Sequence, residues 1–259
     1  MKADKQEKPR QLIKDGIRLD GRTVKEIRPI HLDVDVLNRA DGSSLIEMGR
    51  NKIVVAVYGP RELHPKHFAL PDRAYVRCIY RMATFSVEDR KSPAPARREI
   101  EISKVIREAL MPVIFVEYFP RTTIDIYIEV LQADGGSRCA SINAASLALA
   151  NAGIPLRDMI SAVAVGKVDG QIVLDLNDIE DKEGEGDMPV AIMPRSKRVT
   201  LLQLDGIFTQ AEFEEALNLA IEGSSQIYTL QRETIAKKYA DIRQEVEEEL
   251  QVEEEVEED

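Results

Sequence analysis

Between Val130 and Gly153 the chain reads VLQADGGSRCASINAASLALANAG, and no other stretch limits the possible folds as much. The run that leads into it, IDIYIEVLQ, alternates apolar and polar residues as a half-buried strand does. After it, Ile142, Ala145, Leu149 and Ala152 recur at helical spacing. A strand must therefore pass directly into a helix through Asp134, Gly135, Gly136, Ser137 and Arg138. A glycine pair leading into a helix exposes free backbone N–H groups beside the positive end of the helix dipole. Ser137 adds a hydroxyl donor there, and Arg138 adds a planar fork suited to phosphate oxygens. This is the chemistry of an anion seat, although a tight strand-to-helix turn with a surface arginine fits the same letters. No GKS or GKT follows and GxGxxG is absent, so neither common nucleotide loop is present.

The rest of the chain has α+β organisation, with mixed sheets packed with helices. Short strand-like runs come first: IRPIHLDVDVL, SSLIEMG, NKIVVAVYGP and AYVRCIYRMATF, separated by RADG and by the long basic loop RELHPKHFALPDR. EIEISKVIREAL places Ile102, Val105, Ile106, Ala109 and Leu110 on one helix face. Beyond the small-residue helix come a second group of strands, MISAVAVGKVDG, QIVLDLN, MPVAIMP and RVTLLQLDG, and a long helix from about 210 to 239. Residues 1–18 are polar and without a sustained period, which predicts an arm that orders only against a partner. Residues 19–240 form the body, in halves of about 19–152 and 153–240. Residues 241–259 form an acidic tail expected to be disordered.

Charge is unevenly divided. The net charge is −11, but EVEEELQVEEEVEED holds ten acidic residues, which leaves −1 for everything before it. Between Arg61 and Arg107 there are eleven Lys and Arg against six Asp and Glu, so the acidic balance does not exclude a nucleic-acid partner. No apolar run approaches the length of a membrane span, and no membrane association is expected; the default expectation is cytoplasmic. Cys78 and Cys139 lie far apart with no paired spacing and read as reduced core residues. His31, His64 and His67 form no metal or triad pattern.

Two further clusters carry chemistry. In DLNDIEDKEGEGDMPVA, Asp181 and Asp187 stand six residues apart in a glycine-containing acidic loop before an apolar strand. Brought together, two carboxylates can hold Mg²⁺, and one with a raised pKa can donate a proton; an acidic surface loop is the plain alternative. In APARREIEISK, Arg97 and Arg98 stand at a helix start. Cations there oppose the dipole, so a ligand role is the more interesting reading and solvated charges the plain one.

These clusters, in this order, resemble the RNase PH family of phosphate-dependent exoribonucleases. The resemblance rests on RLDGR, EIRPI, RREIEISKVIREAL, VLQADGGSRCASINAA, VGKVDGQIVLDLN and the GDMPVA loop, and spans about residues 18 to 240. Within the family, GPRELHPKHFALPDRA and FSVEDRKSPAPARREIE look most like the catalytic subunits of archaeal exosomes. The resemblance implies an RNase PH-like fold and 3′-to-5′ phosphorolysis of single-stranded RNA, reversible to RNA tailing. It implies that Gly135, Gly136, Ser137, Arg138 and Arg98 hold inorganic phosphate, and that Asp181 and Asp187 are catalytic and bind Mg²⁺ or Mn²⁺. It further implies that Lys66 and Arg97 grip RNA. The implied partners are a homologous non-catalytic subunit in a hexameric ring and RNA-binding cap subunits. A non-catalytic RNA-binding ring subunit is the competing reading.

Overall fold

The computed structural model describes residues 11–258. A small hairpin opens the chain, β1 (Ile13–Lys14) with β2 (Ile17–Arg18). There follow β3 (Ile30–Val34), β4 (Gly42–Met48), β5 (Asn51–Glu62), β6 (Tyr75–Met82), α1 (Arg97–Leu110), β7 (Thr122–Gln132) and α2 (Ser137–Asn151). The second half contains β8 (Ser161–Val168), β9 (Gln171–Leu174), α3 (Asp178–Glu183), β10 (Gly186–Met193), β11 (Arg198–Leu202), β12 (Asp205–Gly206) and α4 (Gln210–Glu258).

The first five-stranded sheet has the order β3-β4-β5-β7-β6, and the second has β11-β10-β8-β9 with β12 also paired to β10. All pairings are antiparallel except β6 with β7, which is parallel because α1 makes the crossover between them. Strict alternation sets the buried face of the first sheet: Ile53, Val55 and Val57 on β5, and Ile124, Ile126, Ile128 and Val130 on β7, are all buried. Ile102, Ile106, Ala109 and Leu110 of α1 pack into the same core, while Val105 is half-buried.

The helix α2 is buried around nearly its whole circumference, which distinguishes it from an ordinary amphipathic surface helix. It lies against β4 and β5 of one sheet and β8 of the other. Its alanines and serines allow that close approach: a Cβ on Gly42 of β4 would come within 2.4 Å of the Ala152 nitrogen. Polar side chains stitch the contact. Ser44 Oγ donates to the Ala144 carbonyl at 2.7 Å, and the Asn143 amide exchanges two hydrogen bonds with the backbone of Ala162, at 2.8 and 2.6 Å. One end of this central helix is thereby fixed relative to both sheets.

Two expectations are corrected. The arm expected over residues 1–18 is folded onto the body from residue 11 onward; residues 1–10 lie outside the described residues. Leu12 and Ile13 are buried against Val168, Val173 and Leu176, and their backbone N–H groups donate to Asp169 Oδ2 at 2.7 and 2.8 Å. Two adjacent apolar residues are too few to produce a periodic signal, yet enough to dock a hairpin. At the other end, α4 continues to Glu258 instead of giving way to a disordered tail after residue 240. Glu, Leu and Gln are good helix formers, and extending an existing helix avoids the cost of nucleation.

Both cysteines are free and buried, and burial pushes their thiols up to about 12. No helix among the described residues is long and apolar enough to cross a membrane.

Candidate active site

The N-terminus of α2 opens into a cavity of roughly 630 Å³. Arg98, Gly135, Gly136, Ser137, Arg138, Asp181 and Asp187 all line it. Residues up to 89 positions apart thus converge on one space. Arg97 and Lys66 do not line it. Arg97 is exposed at the first position of α1, and Lys66 is exposed and paired with Glu62 at 2.7 Å.

The candidate anion seat is built from backbone geometry. Gly135 and Gly136 both adopt left-handed conformations, at φ +69° and +65°, so the chain turns sharply from β7 into α2. The first helical N–H groups, which have no partner within the helix, then face the cavity end. Ser137 Oγ lies 3.0 Å from the hydroxyl of Tyr80, a buried residue of β6 whose phenol is pushed up by burial and stays protonated. Arg138 donates to Gln203 Oε1 through one terminal nitrogen, while its Nε is buried with no partner. An unpaired buried guanidinium N–H is costly unless a ligand completes it.

The turn is clamped from below by buried charge. Arg28 donates to the carbonyls of Asp134 and Gly135. The same guanidinium holds both oxygens of Asp175, at 2.8 and 2.7 Å. Asp175 stands at φ +58° and also accepts from the Arg28 backbone N–H at 2.8 Å. Asn51 closes the turn from β5, accepting from the Asp134 N–H and donating to the Gly135 carbonyl, both at 2.7 Å. Arg18 forms a fully buried bidentate pair with Glu180, and the same glutamate caps α3 by accepting from the Asn177 N–H at 3.0 Å. Arg18 and Arg28 lie in the RLDGR and EIRPI motifs, and their work here is to bind the acidic segment to the glycine turn.

That segment is not the acidic loop expected. Asp181 sits on the short helix α3, and Asp187 is the second residue of β10. Asn177 provides the cap that makes the helix possible, accepting from the N–H groups of Ile179 and Glu180 at 3.1 and 3.0 Å. β10 pairs Asp187 with Gly166 of β8 on one side and with Asp205 of β12 on the other. Burial pushes both carboxyls above the usual carboxylate range. For Asp187 the negative charge of Asp181 pushes further in the same direction, while Arg98 and Arg138 oppose the rise at both residues. Neither carboxylate has a hydrogen-bond or ion-pair partner among the described residues. Two free carboxylates facing two arginines across a cavity make a space that is charged and partly desolvated.

A family model for the 3′ exoribonuclease family, domain 1, matches residues 26–155, and its domain 2 matches residues 158–223. The chain belongs to the RNase PH family of 3′ exoribonucleases. Its RNase PH relatives include the exosome complex component Rrp41 of Pyrococcus abyssi, 60% identical over 90% of this chain and 93% of that protein. The Rrp41 of Methanopyrus kandleri is 57% identical over 90% and 98%. Among solved structures, rice Rrp46 superimposes with a TM-score of 0.77 at 24% identity, covering 85% of this chain and all of that one. An Archaeoglobus fulgidus exosome with RNA bound to its active site gives 0.73 at 22% identity, over 82% and 92%. At these identities the two structures establish the RNase PH fold.

Sequence reasoning missed several residues of this RNase PH site. Tyr80 was detectable, since an inward tyrosine in AYVRCIYRM needs a partner for its hydroxyl. Asn51 and Asp175 carried no local signal, because their partners lie 84 and 147 residues away in sequence, whereas Glu180 was detectable as the third residue after Asn177 in a capping box, though not as the partner of Arg18 162 residues away. The basic stretch from Arg61 to Arg107 is also less basic than its count: Arg61, Lys66, Arg73, Arg77, Lys91, Lys104 and Arg107 are all ion-paired.

Proposed function

We propose that this chain is the catalytic subunit of an archaeal-type exosome, a 3′-to-5′ exoribonuclease that uses inorganic phosphate in place of water. The observation that carries this reading is the convergence of the α2 N-terminus, Arg98 and Arg138 with Asp181 and Asp187 in one cavity. A phosphorolase must hold a phosphate dianion against an anionic RNA backbone, and fixed N–H and guanidinium donors beside a carboxylic acid suit that task.

In this mechanism the Ser137 hydroxyl, the first N–H groups of α2 and the two arginines hold the attacking phosphate. One of its oxygens bonds to the phosphorus of the last phosphodiester as the bond to the 3′ oxygen breaks. Asp187, whose pKa is raised by burial and by Asp181, supplies a proton to that leaving oxygen. The products are a nucleoside diphosphate and an RNA one residue shorter. The unpartnered Asp181 and Asp187 also fit a hard divalent cation such as Mg²⁺ or Mn²⁺, which takes one or two carboxylates and completes its shell with water and substrate oxygens. When bound, the cation would offset negative charge developing at the phosphates.

Arg97 and Lys66 would grip the RNA backbone upstream of the cavity. Because most of the basic stretch is already ion-paired, one chain offers few free cations to RNA. A homologous, catalytically silent subunit alternating with this one in a hexameric ring would supply the rest, and RNA-binding cap subunits would feed the channel. The exposed Val199, Leu202, Leu204 and Ile207 along β11 and β12 support a partnered surface. The test is to incubate end-labelled single-stranded RNA with the chain and its co-purified partners, with and without phosphate and Mg²⁺. Nucleoside diphosphates formed only with phosphate would support the reading, and monophosphates formed without it would overturn it. RNA binding without turnover would instead mark a silent ring subunit.

A further inference from the structure

One aromatic side chain in the cavity has no part in the anion chemistry. Phe85 lines the same space as Arg98, Ser137, Asp181 and Asp187, yet it is 73% exposed. Among the large described hydrophobics only Ile207 is more exposed. Its exposure is imposed by a braced loop. Ala83 N–H donates to the Val130 carbonyl at 2.9 Å, Ser86 N–H to Ala83 at 3.0 Å, Lys91 N–H to Thr84 at 3.0 Å, and Ala133 N–H to Ser86 at 2.9 Å. These bonds tie the loop to the end of β7, the strand that runs into the anion seat. The fold therefore holds a phenyl ring in water beside a charged cavity, against the hydrophobic gain of burying it.

The neighbouring residue gives an independent signal. Ser86 is 2% exposed and lines the cavity, and its hydroxyl has no hydrogen-bond partner. Buried hydroxyls are nearly always paired, so an orphan on a residue that lines a cavity marks a place where a small adjustment would let a ligand atom complete it.

We infer that Phe85 and Ser86 form a subsite for the 3′-terminal nucleoside of RNA, the ring stacking on its base and the hydroxyl bonding to its ribose. The inference rests on the proposed exoribonuclease reading. Every base has a π-face, so one aromatic shelf can hold any terminal base, as a processive exonuclease requires, with only a modest preference set by stacking strength. Ribose hydroxyls both donate and accept, which suits an unpaired serine and distinguishes an RNA end from a DNA end. Larger ring systems stack more strongly, so a terminal purine gains more from Phe85 than a terminal pyrimidine.

The test uses the full chain in its active assembly and oligonucleotides ending in A, in U, or in a 2′-deoxynucleotide. Phe85→Ala should raise KM for RNA about 5-fold or more, the lower end of what one aromatic–base stack contributes, and should level the A-over-U preference. KM for phosphate should stay unchanged, and Phe85→Tyr should restore the wild-type values. Ser86→Ala should narrow the preference for a ribose end over a deoxyribose end. If the wild-type assembly releases no diphosphates, the exoribonuclease reading itself fails. An active wild type with an unchanged RNA KM in Phe85→Ala overturns the subsite. Dissociation of the Phe85→Ala assembly in size-exclusion chromatography also overturns it, assigning the ring to a protein contact.

Discussion

Gly135→Ala is the sharpest perturbation of the way the anion seat and the acid pair are held together. At φ +69° the backbone is one an alanine adopts at a cost of about 1–2 kcal/mol. The new Cβ would stand 2.4 Å from the carbonyl carbon of Asn177 and 2.6 Å from the nitrogen of Asp178. Both are backbone atoms at the start of α3, so no side-chain rotation relieves the clash. Restoring van der Waals contact requires a relative shift of about 1 Å between the glycine turn and α3, and a misplacement of that size costs on the order of 100-fold in rate. Gly153→Ala provides the control: φ is +70°, but no atom lies within 4 Å of the added methyl. Both variants should lose stability from the backbone term, and Gly135→Ala more because its clash adds to it, as measured by denaturant or thermal unfolding. Only Gly135→Ala should lose about 100-fold in kcat for phosphate-dependent diphosphate release. A kcat for Gly135→Ala matching that of Gly153→Ala would refute the claim that close packing of turn on helix sets the site.

Asp187→Asn should reduce kcat by about 10²–10⁴-fold, the usual worth of a general acid, with RNA affinity by filter binding nearly intact; near wild-type turnover would displace Asp187 from that role. Arg97→Glu should weaken RNA binding and flatten its log–log salt dependence by about 0.7 for the lost contact, with kcat at saturating RNA little changed; an unaltered salt slope would remove Arg97 from the RNA path. The raised pKa values of Asp181 and Asp187 predict a trade between stability and activity. The folded state binds these protons more tightly than the unfolded state, so ionisation costs stability. That cost is fully present above the folded-state pKa values and disappears as pH falls through them towards the unfolded value. In chelator-containing buffer, each Asp→Asn variant should therefore melt above wild type at neutral pH and lose that advantage in acid. A constant offset across pH would contradict the assigned burial cost.

The parts of this molecule that were legible in the sequence are those written locally. The two-residue period of β7, the helical spacing of α2 and the glycines between them announce the turn and its donors, because backbone geometry follows from neighbouring residues. The helix α3 shows where local reading ends. DLNDIEDKEGEGD looks like a solvated acidic loop, and a six-residue helix is too short to show an amphipathic period. Its stability comes instead from Asn177 at its start and from the Arg18–Glu180 pair beneath it. Charge counting overstates the free cations for a related reason. The eleven basic residues from Arg61 to Arg107 describe composition, but seven of them are spent on carboxylates that sequence places before, among or beyond them. Arg98 is left without an ion pair although Glu99 and Glu101 are its neighbours in sequence, because Glu99 is buried against β6 and the cap of α1; the acid across the cavity, Asp181, is 83 residues away and lies beyond ion-pair distance. Such a gap between opposite charges is expensive in an empty fold, and under the proposed reading it is the space in which phosphate would bind Arg98 while Asp181 stays free for the RNA end.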